Sequence, residues 1–127
     1  MKYTEIKTFE DACIALKIDT TVPDFSATPV KHQKALIAHY KLVIIVEAVN
    51  EGWEPDYSNN KEYKYELWPD VIEDKTKPSG FGLSYNGYGG WATLTTVGSR
   101  LCFKSGEIAE YTFETFKQLY EDYLLIG

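Results

Sequence analysis

Arg100, Cys102 and Lys104 alternate in the run RLCFKSGE at 100–107. On a strand, alternation sets these two cations and a thiol on one face. The run then enters a helix start at Ser105, where free backbone N–H groups attract anions. Residues of these types in this order suit a phosphate or a carboxylate. A thiol between two cations is also a setting that lowers a cysteine pKa. No base or second thiol lies nearby in sequence, so Cys102 is not read as reactive. Just upstream, Trp91, Thr93 and Thr95 share one parity. An aromatic ring beside hydroxyls and cations suits the stacking of a nucleobase or the anchoring of a partner's side chain. Trp91, Thr93, Thr95, Arg100 and Lys104 are therefore the candidate binding residues.

Nothing in the chain is assigned as catalytic, metal-ligating or cofactor-binding. No P-loop, G-x-S-x-G, H-E-x-x-H or C-x-x-C occurs, and the glycine-rich stretch opens no helix. His32 and His39 are the only histidines. Seven positions apart on a helix, they lie about 10 Å from each other along its axis, too far to share a metal. They are read as surface residues, and the chain is expected not to be an enzyme.

Two turn signals position the candidate residues. Residues 80–91, GFGLSYNGYGGW, hold Asn86-Gly87, which favours a two-residue type I′ hairpin. Gly98-Ser99 suits a type II′ hairpin. Both registers place Phe81, Leu83, Tyr85, Tyr88, Ala92, Leu94, Leu101 and Phe103 on one apolar face. Trp91, Thr93, Thr95, Arg100, Cys102 and Lys104 fall on the other, with Trp91 covering Gly82. KEYKYELW at 61–68 alternates as a half-buried strand and stops at Pro69. The charged stretch at 70–80 reads as a mobile loop.

Helices complete the plan. Thr8 caps a short helix whose face is Phe9, Ala12, Cys13 and Leu16. Thr28-Pro29 opens a long helix ending before Gly52, apolar nearly all round in its second half, LVIIVEAV. Ser105 caps a last helix with a broad apolar stripe from Ile108 to Tyr123.

The chain has 127 residues, enough for one domain spanning 1–127 and for a core that needs no covalent staple. Its net charge of −6 disfavours a general nucleic-acid binder. Residues 50–74 carry eight acids and two lysines, whereas 75–106 carry four cations and no acid. No apolar run is long enough to span a bilayer, and the N-terminus lacks the apolar core of a secretory signal. With Cys13 and Cys102 far apart and without metal-type spacing, a cytoplasmic location is expected. A single disulfide between them stays open at this level.

TPVKHQKALIAHYKLVIIVEAVNEGWEPDY and VGSRLCFKSGEIAEY resemble a family of short uncharacterised proteins encoded in phages and mobile elements of gut bacteria. The resemblance covers most of the chain outside residues 70–80. It implies a phage or mobile-element context and carries no catalytic residue, because the family has no assigned activity. Gly106 departs from the family pattern, which has a larger, often basic residue there.

The expected architecture is α+β, in the order α-α-β-β-β-β-α. A small antiparallel meander of three to four strands packs with three helices. The expected function is a non-enzymatic protein–protein interaction module, as a virion component or a modulator of a host factor. The alternative is a single-stranded nucleic-acid binder using the aromatic and basic outer sheet face.

Overall fold

The computed structural model describes residues 1–92 and 99–126. Thr93, Thr95 and Gly98 lie outside the described residues. Among the described residues the chain is α+β, with four α-helices and two two-stranded antiparallel ladders. No helix among them is long and apolar enough to cross a membrane.

Helix α1 (Phe9–Leu16) starts as its sequence dictates, with the Thr8 hydroxyl accepting the Asp11 N–H at 3.0 Å. Phe9, Ala12 and Cys13 are buried. Helix α2 (Val30–Val49) begins without a side-chain cap. Thr28, the expected cap, instead turns its hydroxyl to the Phe25 carbonyl, and the Gln33 amide satisfies the Thr28 carbonyl. The second half of α2 is the centre of the molecule. Leu42, Ile45, Val46, Ala48 and Val49 are buried, and α1 and α4 (Lys117–Leu124) pack against α2.

At the end of α2, Asn50 is 3% exposed. Its Nδ2 donates to the Cys102 carbonyl at 3.0 Å, and its Oδ1 accepts the Lys104 N–H at 3.1 Å. One side-chain amide thus copies a neighbouring strand along residues 102–104. Glu51 takes left-handed φ (54°) and Gly52 follows at 90°. The Glu51 carboxylate then accepts the Tyr3 N–H at 2.8 Å and pairs with Lys104 Nζ at 2.7 Å.

Strand pairing differs from the expected meander. β1 (Lys64–Leu67) pairs with β4 (Tyr88–Trp91), and β2 (Asp70–Glu73) pairs with β3 (Phe81–Ser84). The segment read as a mobile loop therefore contains a strand, whose Val71 lies opposite Leu83 and whose Ile72 lies opposite Gly82. The hairpin closes at Asp74–Gly80, where the Asp74 N–H donates to the Gly80 carbonyl and Gly80 has φ 81°. Asn86-Gly87 is not a type I′ turn, because only Gly87 has positive φ. Trp68 and Pro69 join β1 to β2, while Tyr85, Asn86 and Gly87 join β3 to β4. Three residues face two, which is a bulge. Pro69 has no N–H for the ladder, so the pairing must break there. The Trp68 N–H donates to the Gly87 carbonyl, so the two ladders run on as one ribbon.

Nor does a strand form at 100–104. Ser99–Leu101 is a 3-10 turn, and Phe103 alone of this segment bridges to Tyr65, with bonds of 3.0 and 2.7 Å. The II′ hairpin would require that strand. The expected apolar face is accordingly dispersed. Leu83 and Phe103 are fully buried, whereas Phe81 and Tyr88 are exposed.

Ser105 caps α3 (Gly106–Thr115) through the Ile108 N–H, as expected. The last helix is split at Phe116, which leaves helical geometry (φ −116°) and buries its ring. The Thr112 hydroxyl bonds back to the Ile108 carbonyl one turn earlier, a bond that bends helices. The split turns Glu121 of α4 onto the ribbon. Its Oε2 accepts the Leu83 N–H at 2.7 Å, and its Oε1 pairs with Lys77 Nζ at 3.1 Å. A Cβ at Gly82 would lie 2.8 Å from Oε2, so a larger residue there would push the carboxylate aside.

Burial pushes the Glu121 carboxyl up, but the Leu83 N–H and the Lys77 ammonium, with Lys117, overrule it and hold it below its ordinary range. A lowered folded-state pKa contributes stability that is present above the unfolded value near 4.5 and lost as pH falls through the folded value. Glu121→Gln should therefore cost about 1–3 kcal/mol at neutral pH by urea unfolding. The gap to wild type should shrink towards pH 3, about one unit or more below the unfolded value. An equal gap at both pH values would show that the charge of Glu121 contributes nothing.

Candidate functional site

The β1–β4 ladder carries the most conspicuous surface. Lys64 lies opposite Trp91 and Glu66 opposite Gly89, so these four share one face. Trp68, next along the chain, lies across Gly89. A Cβ at Gly89 would approach the Trp68 indole to 3.0 Å. An aromatic ring does cover a strand glycine here, but the pair is Trp68 over Gly89 and not Trp91 over Gly82. On the opposite face Tyr65 lies over Gly90 in the same way, and the Tyr88 ring occupies the space a Cβ at Gly106 would need. That contact gives Gly106 a packing role.

Both indoles converge on one carboxylate. Trp91 Nε1 donates to Glu66 Oε1 at 2.6 Å, and Trp68 Nε1 donates to the same oxygen at 3.2 Å. The rings sit 6.2 Å apart, tilted by 38°. Trp68 is 51% exposed and Trp91 36%. Two large aromatic rings are thus held in water by a shared acceptor, which restricts their rotamers before any partner arrives.

The other sequence candidates do not join them. Arg100 is exposed on the 3-10 turn that packs against α2. Lys104 is paired with Glu51 at the α2 corner. Among the described residues no contact links Trp91 to either cation. Thr93 and Thr95 fall outside the described residues. In the RLCFKSGE segment, whose residue types suit an anion, the lysine is paired with a carboxylate, the helix start is capped by Ser105, and Gly106 lies under the Tyr88 ring.

Arg100 instead borders a cleft of about 350 Å³ walled by Val43, Val46, Trp53 and Tyr57, with Cys102 at its side. Glu62 organises the loop above it, accepting the Trp53 indole N–H at 3.2 Å and the Asp56 N–H at 2.8 Å. Glu62 also pairs at 3.4 Å with Lys64, whose buried ammonium lies over the Tyr57 ring. Glu62 and Lys64 are thus engaged with each other behind the loop, while Glu47, Glu54 and Arg100 are the charged residues that line the cleft. Among the described residues there is no cluster of three metal-ligating side chains, and His39 is stacked on Tyr123 at 4.7 Å.

Glu66, Trp68 and Asn50 were not singled out by the sequence. Trp68 carries a signal: it shares parity with Glu62, Lys64 and Glu66 on the polar side of an alternating strand, where a large aromatic is out of place. Asn50 sits at the end of an apolar helical run and reads as an ordinary helix-ending residue. No family model, curated protein or solved structure matches the chain.

Both cysteines are free and buried, so no disulfide joins them. Burial pushes the Cys102 thiol up, outweighing its hydrogen bond with Tyr57, and its Sγ donates to the Ser99 carbonyl at 3.0 Å. Burial likewise raises Cys13. Burial thus favours the protonated thiol at both positions. In native protein at neutral pH, Ellman's reagent should label both at least about a hundredfold more slowly than in urea. Rapid native labelling of Cys102 would show that the cleft opens to expose it.

Proposed function

We propose that the chain is a non-enzymatic protein–protein interaction module of phage or mobile-element origin, acting in the host cytoplasm or the virion as a structural component or a modulator of a host factor. One observation carries the reading. The exposed Trp68–Trp91 pair is locked by Glu66 on a ribbon that also exposes Val71, Ile72, Phe81 and Tyr88. Large aromatics fixed at a surface are the residues that dominate protein interfaces, and a locked rotamer reduces the entropy lost on docking.

The alternative, binding of single-stranded nucleic acid, requires cations beside the aromatic rings. The group at the edge of both indoles is a carboxylate, which repels phosphate. Protein binding is therefore the leading reading.

Affinity capture from producing cells, with bound species identified by mass spectrometry, tests it. A defined protein partner should be held at about 0.5 M salt and lost with Trp68→Ala/Trp91→Ala, while Arg100→Ala retains it. Loss of the partner with Arg100→Ala instead, or salt-sensitive binding of oligothymidylate through Trp91, would move the function to the alternative.

A further inference from the structure

We infer that the Trp68–Glu66–Trp91 surface takes an arginine side chain presented by a basic segment of the partner. The inference rests on the protein-interaction reading and names the chemistry of its partner. Three observations point to a cation. First, the two indoles leave ring surface in water while their N–H edges are occupied by Glu66. An aromatic face attracts cations, and Trp does so most strongly. Second, the acceptor at those edges is anionic, so a cation over either ring also meets a carboxylate. Third, a further acid lies close by in the chain: Asp70 opens the exposed strand β2 one residue beyond Trp68. Of the two lysines among residues 50–74, Lys64 is buried against Glu62.

Arginine fits this surface better than lysine. Its guanidinium is planar, stacks on an indole and donates in its own plane to a carboxylate at the ring edge. A lysine ammonium offers charge without the stack. A second copy of this chain offers one arginine only, Arg100, and no basic segment around it, since Ser99, Leu101 and Cys102 flank it. The 2.6 and 3.2 Å bonds to Glu66 mean that the rings need not rearrange to receive the side chain.

The test titrates hexa-arginine, hexa-lysine and oligothymidylate into the full chain at about 0.1 M salt, read by tryptophan fluorescence and calorimetry. Hexa-arginine should bind, at least about threefold more tightly than hexa-lysine, and oligothymidylate should not. Glu66→Gln keeps an oxygen for both indoles and removes the charge, so it should weaken hexa-arginine about tenfold. Glu54→Gln removes an equal charge from the lining of the Val43–Tyr57 cleft and should change it less than about twofold. Trp68→Phe, which keeps a ring over Gly89, should weaken binding several-fold and guards against a misfolded Glu66→Gln.

Equal losses in Glu66→Gln and Glu54→Gln would reduce the binding to bulk charge attraction and overturn the inference. So would oligothymidylate binding that Trp68→Phe weakens, or self-association that it disperses. The two readings also fail separately. A cellular partner held equally by Glu66→Gln leaves the module standing and removes the arginine. Hexa-arginine binding with the expected variant pattern, but no partner captured by wild type, does the reverse.

Discussion

The amide of Asn50 joins the two halves of this fold. It ends the central helix, and its donor and acceptor both bond to the main chain at 102–104. That segment forms no ladder of its own among the described residues. Phe103 reaches Tyr65 on one side, and Asn50 supplies the other side. A buried main-chain N–H or carbonyl without a partner costs about 1–3 kcal/mol, so the amide satisfies two groups that would otherwise oppose burial of Phe103. Glu51 and Gly52 adopt positive φ directly afterwards, turning the chain away from the helix and aiming the Glu51 carboxylate at Tyr3 and Lys104. Three consecutive residues therefore tie the N-terminus, the central helix and the approach to α3.

The ribbon depends on the same point. Tyr65 is bonded to Phe103 and is followed by Glu66, the residue that holds both indoles. Glu121 secures the other end, through the Leu83 N–H. Between these two anchors the ribbon breaks at Pro69 and bulges at Tyr85–Gly87, which lets each ladder follow its own anchor. The aromatic surface is positioned by satisfied polar groups at one end of the core as much as by packing beneath it.

The helices were legible because their signals are local. Thr8, Ser105 and the apolar spacing of α1, α2 and α3 act within a few residues. Strand pairing was not, because two turn signals competed with a pairing that sequence order hides. Asn86-Gly87 has the composition of a tight turn, but β4 pairs with β1 and β3 with β2, so the chain does not fold back on itself there. Asp74–Gly80 closes the ribbon instead, with Asp74 bonding Thr76 and Gly80 at positive φ. The split at Phe116 was hidden for a similar reason: the apolar stripe continues through it, and the kink shows only in the backbone. At the site, Trp91 is exposed, and its neighbours are Trp68 and Glu66 rather than the two cations. Arg100 and Lys104 were assigned to its face by a strand that the 3-10 turn replaces.

A single side-chain amide holds the 102–104 segment and, through Tyr65, the strand that carries the aromatic surface. Amide hydrogen exchange in Asn50→Ala, compared with wild type, tests it residue by residue. Protection of the Lys104, Phe103 and Tyr65 N–H groups should fall by roughly tenfold to a hundredfold more than that of the Leu83 N–H, the equivalent of about 1–3 kcal/mol of local opening. Protection lost evenly across all four amides, or kept at the first three, would contradict it.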